Sequence, residues 1–515
     1  MGVTLCAVLF AVQAAAQDPR ATTDTAFRMA QTVQTTAAGQ ALQQIALRLA
    51  LKADGMEVLA IERRDLTERL AGLRADQTLD AATRRARLQE LDTALIVNTR
   101  ALEANFDGYR DIIAPEPLGL GEAQALLQPG EALIQMHQGP KALTLWLVTP
   151  DHVVWHQAVL TRADAADLVA AFRQGMGLGG TLRAAAALSD EPSEAPAQPF
   201  NTFLAANLYQ ILFAPFQDIL AGLDHVMIVA DGAWIGLPFV ALLTNPADGD
   251  LEATDEMLQQ ASWMGFGQAI TMLPSTVSLR TARAGASGQG TTLLAVGDPV
   301  FAGDKSPDAA LRSAGGVRLS DLVPLPGTRR EVSAIAANFD APDVLLGAAA
   351  TEAAIRGADL SETDIIVFAT HGLIAGELQG LDEPALALTP PATPSEADDG
   401  LLKAGEIAGL TLTADWVILS ACNTAAGDGA GAEGLSGLAR AFFAAGAQTL
   451  LVSHWPVRDD AAARLTAHAF AEIKEDPALG KAEAMRRAMV ALAQDRSDPT
   501  LAHPTAWAPF FVVGG

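Results

Sequence analysis

Only two cysteines occur in the 515 residues, Cys6 and Cys422. So few and so far apart, they build no disulfide framework, and Cys422 is read as a free thiol. It ends the strand-like run Asp415-Trp416-Val417-Ile418-Leu419-Ser420-Ala421, and a small-residue loop containing Gly427, Gly429 and Gly431 follows it. A second run of the same form, Asp364-Ile365-Ile366-Val367-Phe368-Ala369-Thr370, ends in His371-Gly372. A thiol and an imidazole at the carboxyl ends of neighbouring parallel strands have the composition of a Cys-His dyad. In such a dyad the imidazole draws off the thiol proton, the thiolate attacks a carbonyl carbon, and the proton passes to the leaving group.

Strands and helices alternate around these two runs. From Thr292 the chain reads strand to Pro299, helix over 327–339, short strand over 344–346, helix over 351–357, and then the His371 run. That order predicts a doubly wound α/β fold with a mostly parallel sheet. An earlier stretch, 115–280, alternates in the same way. Its strands fall at 132–136, 143–148 and 153–155, helices at 162–176 and 201–221, and a buried strand from His225 ends in Asp231-Gly232 with no Cys or His beside it. Gly285-Ala286-Ser287-Gly288-Gln289-Gly290 is a flexible boundary between the halves. Upstream, residues 25–114 are rich in Ala, Leu, Gln, Arg and Glu, with Leu42, Ile45, Leu49, Leu59, Leu66, Leu70 and Leu73 at helical spacing. Breaks near Asp54-Gly55 and Asp76-Gln77 divide this arm into three helices, which either cap the next domain or bind a partner.

Caspase-like folds place the histidine about 50 residues before the cysteine, and here His371 precedes Cys422 by 51 positions. The caspase signature around the cysteine is absent. The wording Leu419-Ser420-Ala421-Cys422-Asn423-Thr424, with Phe368-Ala369-Thr370-His371-Gly372, Glu433-Gly434-Leu435-Ser436-Gly437-Leu438-Ala439-Arg440-Ala441-Phe442, Ser453-His454-Trp455-Pro456-Val457-Arg458-Asp459 and the closing His503-Pro504 and Trp507-Ala508-Pro509-Phe510, resembles the CHAT family of caspase-like, separase-related cysteine peptidases. The resemblance implies a caspase-like protease domain over 291–515, preceded by an inactive caspase-like half over 115–280 and by a helical arm over 25–114 that looks like a remnant of tetratricopeptide-type repeats. It implies Cys422 as nucleophile and His371 as base in the cleavage of peptide bonds. The backbone N–H groups of Gly372 and Cys422 are then the expected oxyanion donors.

Three further positions are candidates for substrate contact. Trp455 lies beside the third strand end as a wall or as core packing, and Asp428 and Glu433 follow the nucleophile, where a carboxylate pairs with a basic side chain or simply faces water. His454 ends the run from Thr449 to Ser453 and is a rival base. The Pro-rich insert over 389–396, between the two dyad runs, reads as a loose segment that is processed or gates the site.

Composition excludes other classes. With 60 acidic against 34 basic residues the formal charge is −26, unsuited to nucleic acid. There is no Cys-x-x-Cys spacing, and the loop from Gly427 to Gly434 lacks the Gly-Lys-[Ser/Thr] ending of a phosphate loop, so no metal or cofactor is expected. Residues 1–17 have the apolar run and small-residue cluster of an export signal, too short to span a membrane. A cleaved signal implies a periplasmic or secreted protein, an uncleaved one the cytoplasm. The partners expected are a protein or peptide substrate and a regulatory protein bound through the helical arm. The competing reading is a catalytically silent caspase-like scaffold.

Overall fold

The computed structural model describes residues 19–33, 58–59, 62–63, 66, 69–70, 73, 81–105, 116–176, 200–249, 253–284, 290–301, 318–395, 398–420, 437–455 and 457–514. The strands in chain order are β1 (Glu131–Gln138), β2 (Leu143–Val148), β3 (Val153–Ala158), β4 (His225–Val229), β5 (Ala269–Met272), β6 (Leu293–Gly297), β7 (Asp343–Leu346), β8 (Ile365–Ala369), β9 (Gly372–Leu373), β10 (Ala385–Ala387), β11 (Leu401–Lys403), β12 (Trp416–Leu419), β13 (Thr449–Ser453) and β14 (Phe510–Gly514). Eleven of them form one sheet in the order β3-β2-β1-β4-β5-β14-β13-β12-β8-β6-β7. Strands β1, β4, β5 and β14 run parallel to one another, as do β13, β12, β8, β6 and β7; the two blocks oppose each other at the antiparallel β13–β14 pair. The fold is therefore α/β with a large, mostly parallel sheet.

Parallel strands are covered on both faces, so their residues read as continuous apolar runs. Every residue of β6, β8, β12 and β13 is buried. Both stretches expected on either side of residues 285–290 contribute to this sheet, and one apolar cluster holds Ile134, Trp234 and Ile228 together with Val367, Ile418 and Trp507. The halves thus share a core.

Helix α1 (Pro19–Val33) is the described beginning of the arm. Phe27 is fully buried and meets Trp146 edge-on at 6.0 Å. Gln31 exchanges two hydrogen bonds with the Leu118 backbone, and Asp24 accepts from the Leu120 N–H. Helix α2 (Ala81–Asn105) packs Leu91 on Leu66 and Leu70, so the two helical stretches lie side by side.

Three helices flank the dyad strands, α3 (Pro326–Ala336), α4 (Gly437–Ala445) and α5 (Asp459–Glu475), and α6 (Lys481–Ala493) packs beside α5 over β5 and β14. Phe442 of α4 meets Phe368 at 5.3 Å, while Phe470 of α5 meets Trp416 at 5.2 Å. Phe368 is paired with Leu419, three residues beyond Trp416, and side chains alternate between faces along a strand. Helices α4 and α5 therefore cover opposite faces, which is the doubly wound arrangement.

The Pro-rich insert is tied down where it is described, contrary to the loose segment expected from its composition. The buried carboxylate of Glu352 accepts from the N–H groups of Asp399 and Gly400 at 2.9 and 2.7 Å and pairs with Arg356 at 2.6 Å. Thr389 bridges Val300 N–H and Gly347 carbonyl, both at 2.8 Å. A carboxylate out of water needs such donors, and the backbone just after the insert supplies them.

Candidate active site

Strands β8 and β12 are direct parallel neighbours, paired from Ile365↔Trp416 to Phe368↔Leu419. Every pair in that register differs by 51 positions, the separation of His371 and Cys422. Each of the two thus follows the last paired position of its strand by three residues. Cys422 itself, with Asp428 and Glu433, lies outside the described residues, and the approach to it is described as far as Ser420.

His371 is 4 % exposed. Its Nε2 lies 2.8 Å from the Val323 carbonyl, which can only accept, so Nε2 carries the proton and Nδ1 keeps its lone pair. Burial pushes the imidazole pKa below its usual value, and the Val323 contact opposes this in part. The ring of Phe301 is 5.7 Å away and tilted over it. No residue pattern in the sequence points to this orienting contact, because a backbone carbonyl has no residue type to search for.

Gly372 opens the small antiparallel sheet β9–β10–β11 and is paired with Leu386. The Ala387 N–H donates to the His371 carbonyl at 2.9 Å. A bond between those flanking residues makes Gly372–Leu386 a non-hydrogen-bonded pair, whose own N–H and C=O groups point away from the partner strand. The ladder to β10 leaves the Gly372 N–H available, as an oxyanion donor requires.

Glu331 on α3 was missed, since one glutamate in an amphipathic helix carries no signal. It is buried and accepts from Ser420 Oγ at 3.0 Å and from Thr466 Oγ1 at 3.4 Å. It grips the last described residue before Ala421-Cys422 from the helix layer beneath.

His454 and Trp455 follow β13. His454 is stacked on Phe511 at 4.1 Å, and burial together with the nearby Arg173 holds its pKa well below the usual value. Trp455 is 2 % exposed and donates its indole N–H to the Thr505 carbonyl at 3.1 Å. It packs inside the domain. His152 and His156 have the His-x-x-x-His spacing of some metal sites, but they flank extended backbone that separates them by about 13 Å. Among the described residues no cluster of three or more His, Cys, Asp or Glu could hold a metal, and no helix is long and apolar enough to cross a membrane.

The CHAT domain family model matches residues 202–515. Among curated proteins, mouse tetratricopeptide repeat protein 28 is 38 % identical over 119 residues, 22 % of this chain and 4 % of its own length. The human protein of that name is 30 % identical over 204 residues, 33 % of this chain and 8 % of its own length. Of solved structures, the Saccharomyces cerevisiae separase–securin complex aligns with 89 % of this chain and 37 % of that chain at 10 % identity and a TM-score of 0.46. The Arg-specific cysteine proteinase gingipain R aligns with 68 % and 74 % at 12 % identity and a TM-score of 0.34. The matched segment is thus a small part of the curated relatives.

Proposed function

The chain belongs to the CHAT domain family, and on that premise we propose that it is a cysteine endopeptidase in which Cys422 is the nucleophile and His371 the general base. The observation that carries this reading is the β8–β12 pairing, whose register equals the His371–Cys422 separation. Two features of His371 support its role. Its pKa is lowered by burial, so it is neutral and able to accept a proton at neutral pH, and its protonated Nε2 is anchored on Val323, leaving Nδ1 as the basic atom.

The steps follow from these groups. Nδ1 of His371 takes the Cys422 thiol proton as the sulfur bonds to the substrate carbonyl carbon. The resulting oxyanion is held by the N–H groups of Gly372 and Cys422. The imidazolium, still held by the Val323 carbonyl, returns its proton to the leaving amine, and water then releases the acyl group from sulfur. Asp428 and Glu433, close behind the nucleophile in sequence, favour a basic side chain beside the scissile bond.

The burial of His371 and the Phe301 ring above it favour a covered resting form that a substrate or partner protein opens. Helix α1 does not itself cover His371. It docks against β2, seven strands from β8 in the sheet order, about 34 Å at ~4.8 Å per strand.

The test is a library of fluorogenic peptides and a thiol-directed peptide electrophile, applied to the wild type, Cys422→Ala and His371→Ala. Cleavage and labelling lost in Cys422→Ala, and labelling slowed in His371→Ala, are the expected results. Equal labelling of wild type and Cys422→Ala sinks the assignment, and a wild type inert toward peptides and proteins with and without partners makes the chain a scaffold.

A further inference from the structure

A cleft of about 960 Å³ lies at the amino-terminal ends of the same dyad strands, away from His371. Its floor includes Ile365, Trp416 and Thr449, the first residues of β8, β12 and β13, which are paired in one row and therefore share a face. Ile365 is four residues from the end of β8, so the dyad end is some ~13 Å away along the strands.

Two side chains of that row carry unmet polar atoms. Trp416 Nε1 and Thr449 Oγ1 are buried and have no hydrogen-bond partner among the described residues. Trp416 is 1 % exposed and Thr449 is fully buried. One orphaned donor costs about 1–3 kcal/mol, and folded proteins leave few. Two orphans adjacent in register, both lining one cleft, point to a polar group that arrives from outside the chain.

The surroundings define that group. Trp416 offers only a donor, and the Thr449 hydroxyl can donate. Helix α6 begins at the cleft after Gly480 with no side-chain cap, and Glu483 in its first turn lies toward the positive end of its dipole. Lys481 lines the cleft as well, 2.8 Å from Asp415. Most acids of the lining are already matched: Asp415 by Lys481, Glu131 by Arg283, and Glu483 by Arg486 and Arg487. Around these polar groups the lining is mixed, with Ile365, Phe339, Phe470, Ile473 and Leu479 supplying apolar surface beside Lys474, Asp224 and Asp340. The size falls within the ~300–1,000 Å³ usual for small-molecule sites, which combine apolar walls with a few placed polar groups.

We infer that this cleft is a second ligand site that takes a small carboxylate with an apolar body, its oxygens accepting from Trp416 Nε1–H and the Thr449 hydroxyl. The site stands independently of the peptidase assignment, since none of its groups belongs to the dyad. The experiment accordingly uses the full chain carrying Cys422→Ala, with octanoate as probe and 1-octanol and inorganic phosphate as controls. Calorimetry and the indole ¹H–¹⁵N resonance of Trp416, assigned by its disappearance in Trp416→Phe, report binding.

Octanoate is expected to shift that resonance saturably, and Thr449→Val and Trp416→Phe each to weaken binding about five- to tenfold for one lost hydrogen bond. The near-isosteric Thr449→Val carries the test if Trp416→Phe fails to fold. No shift with octanoate, affinities unchanged in the variants, or equal binding of 1-octanol overturns the proposal, the last outcome reducing the cleft to an apolar hole. A shift produced by phosphate alone overturns the apolar body.

Discussion

Acid should destabilise this fold through two histidines before its carboxylates begin to titrate. His371 and His454 are buried, and in both desolvation lowers the pKa below 6.5, far below in the case of His454, where Arg173 adds to the effect. The unfolded chain binds a proton at each site near the ordinary value while the folded chain resists it. Below pH 6.5 the unfolded state therefore holds more protons, and stability falls as pH falls; above it both states are neutral and the sites contribute no slope. A histidine that stays wholly neutral in the fold costs RT ln(1 + 10^(6.5−pH)), about 1.4 kcal/mol at pH 5.5. His454 should approach that limit and His371 fall short of it, so at pH 5.5 the pair removes at most ~2.8 kcal/mol. The window closes where carboxylates protonate: the buried Glu352, raised above the ordinary 4.5, takes up its proton before the unfolded chain does and opposes the slope, and Glu131, held down to about 2, starts to lose its own contribution below 4.5. Urea unfolding at several pH values between 7.5 and 5 measures the slope. His454→Phe, which keeps a flat ring against Phe511, should remove about half of it or more. A flat profile, or an equal slope in wild type and His454→Phe, refutes the reasoning.

Three further outcomes are expected. Glu331→Ala strips Ser420 of a buried acceptor, Thr466 keeping the Ala462 carbonyl at 2.8 Å, and should cost about 1–3 kcal/mol in urea unfolding, while altering the rate at which iodoacetamide modifies Cys422; an unchanged rate would show that the grip on Ser420 does not reach the thiol. Phe27→Ala empties the contact under Trp146 and should cost about 3–5 kcal/mol where α1 docks, visible as faster hydrogen exchange in residues 19–33 with kcat on a peptide substrate unchanged. Truncation to residue 117 should expose Trp146 and Leu118 and lower solubility, so an activity change in that shortened chain must be set against Phe27→Ala before it is called inhibition by the arm.

The dyad strands were legible because they are buried on both faces. Parallel strands in that setting are near-continuous Val, Ile and Leu, and each ends where the apolar run gives way to polar residues, at Thr370-His371 and at Ser420. The helical order around them followed from the spacing of apolar residues; α2 lies within the stretch read as an arm, while α1 begins at Pro19, six residues before it. What pattern cannot carry is contact between distant main-chain atoms. The Val323 carbonyl behind His371, the tethering of the insert by Glu352 and the availability of the Gly372 N–H all depend on which backbone groups meet, and no residue type announces that. Glu331 and Thr449 were invisible for a related reason. Each is an ordinary residue at its position in a helix or strand and gains meaning only from a neighbour 89 or 33 positions away, Ser420 and Trp416.

The seam between the halves gives the first half a physical role that needs no chemistry of its own. Strand β14, which runs to Gly514 near the end of the sequence, pairs antiparallel with β13 on one side and parallel with β5 on the other. Without residues 131–272 the outer side of β14 would be an unpaired, wholly buried-type run, Phe510-Phe511-Val512-Val513-Gly514, open to pairing with any other chain. Helix α6 would lose its cover as well, since Arg486 donates to the Phe266 carbonyl at 2.7 Å and Met489 packs where Val240 and Ile270 meet the sheet. The half over 115–280, through β5, thus seals the edge of the half that carries His371 and Cys422. The residues 291–515 expressed alone should consequently aggregate even though they contain both dyad residues, and light scattering of that segment beside the full chain decides the matter: a monodisperse, cooperatively folding segment would show that β14 tolerates an open edge and that the first half serves some other purpose.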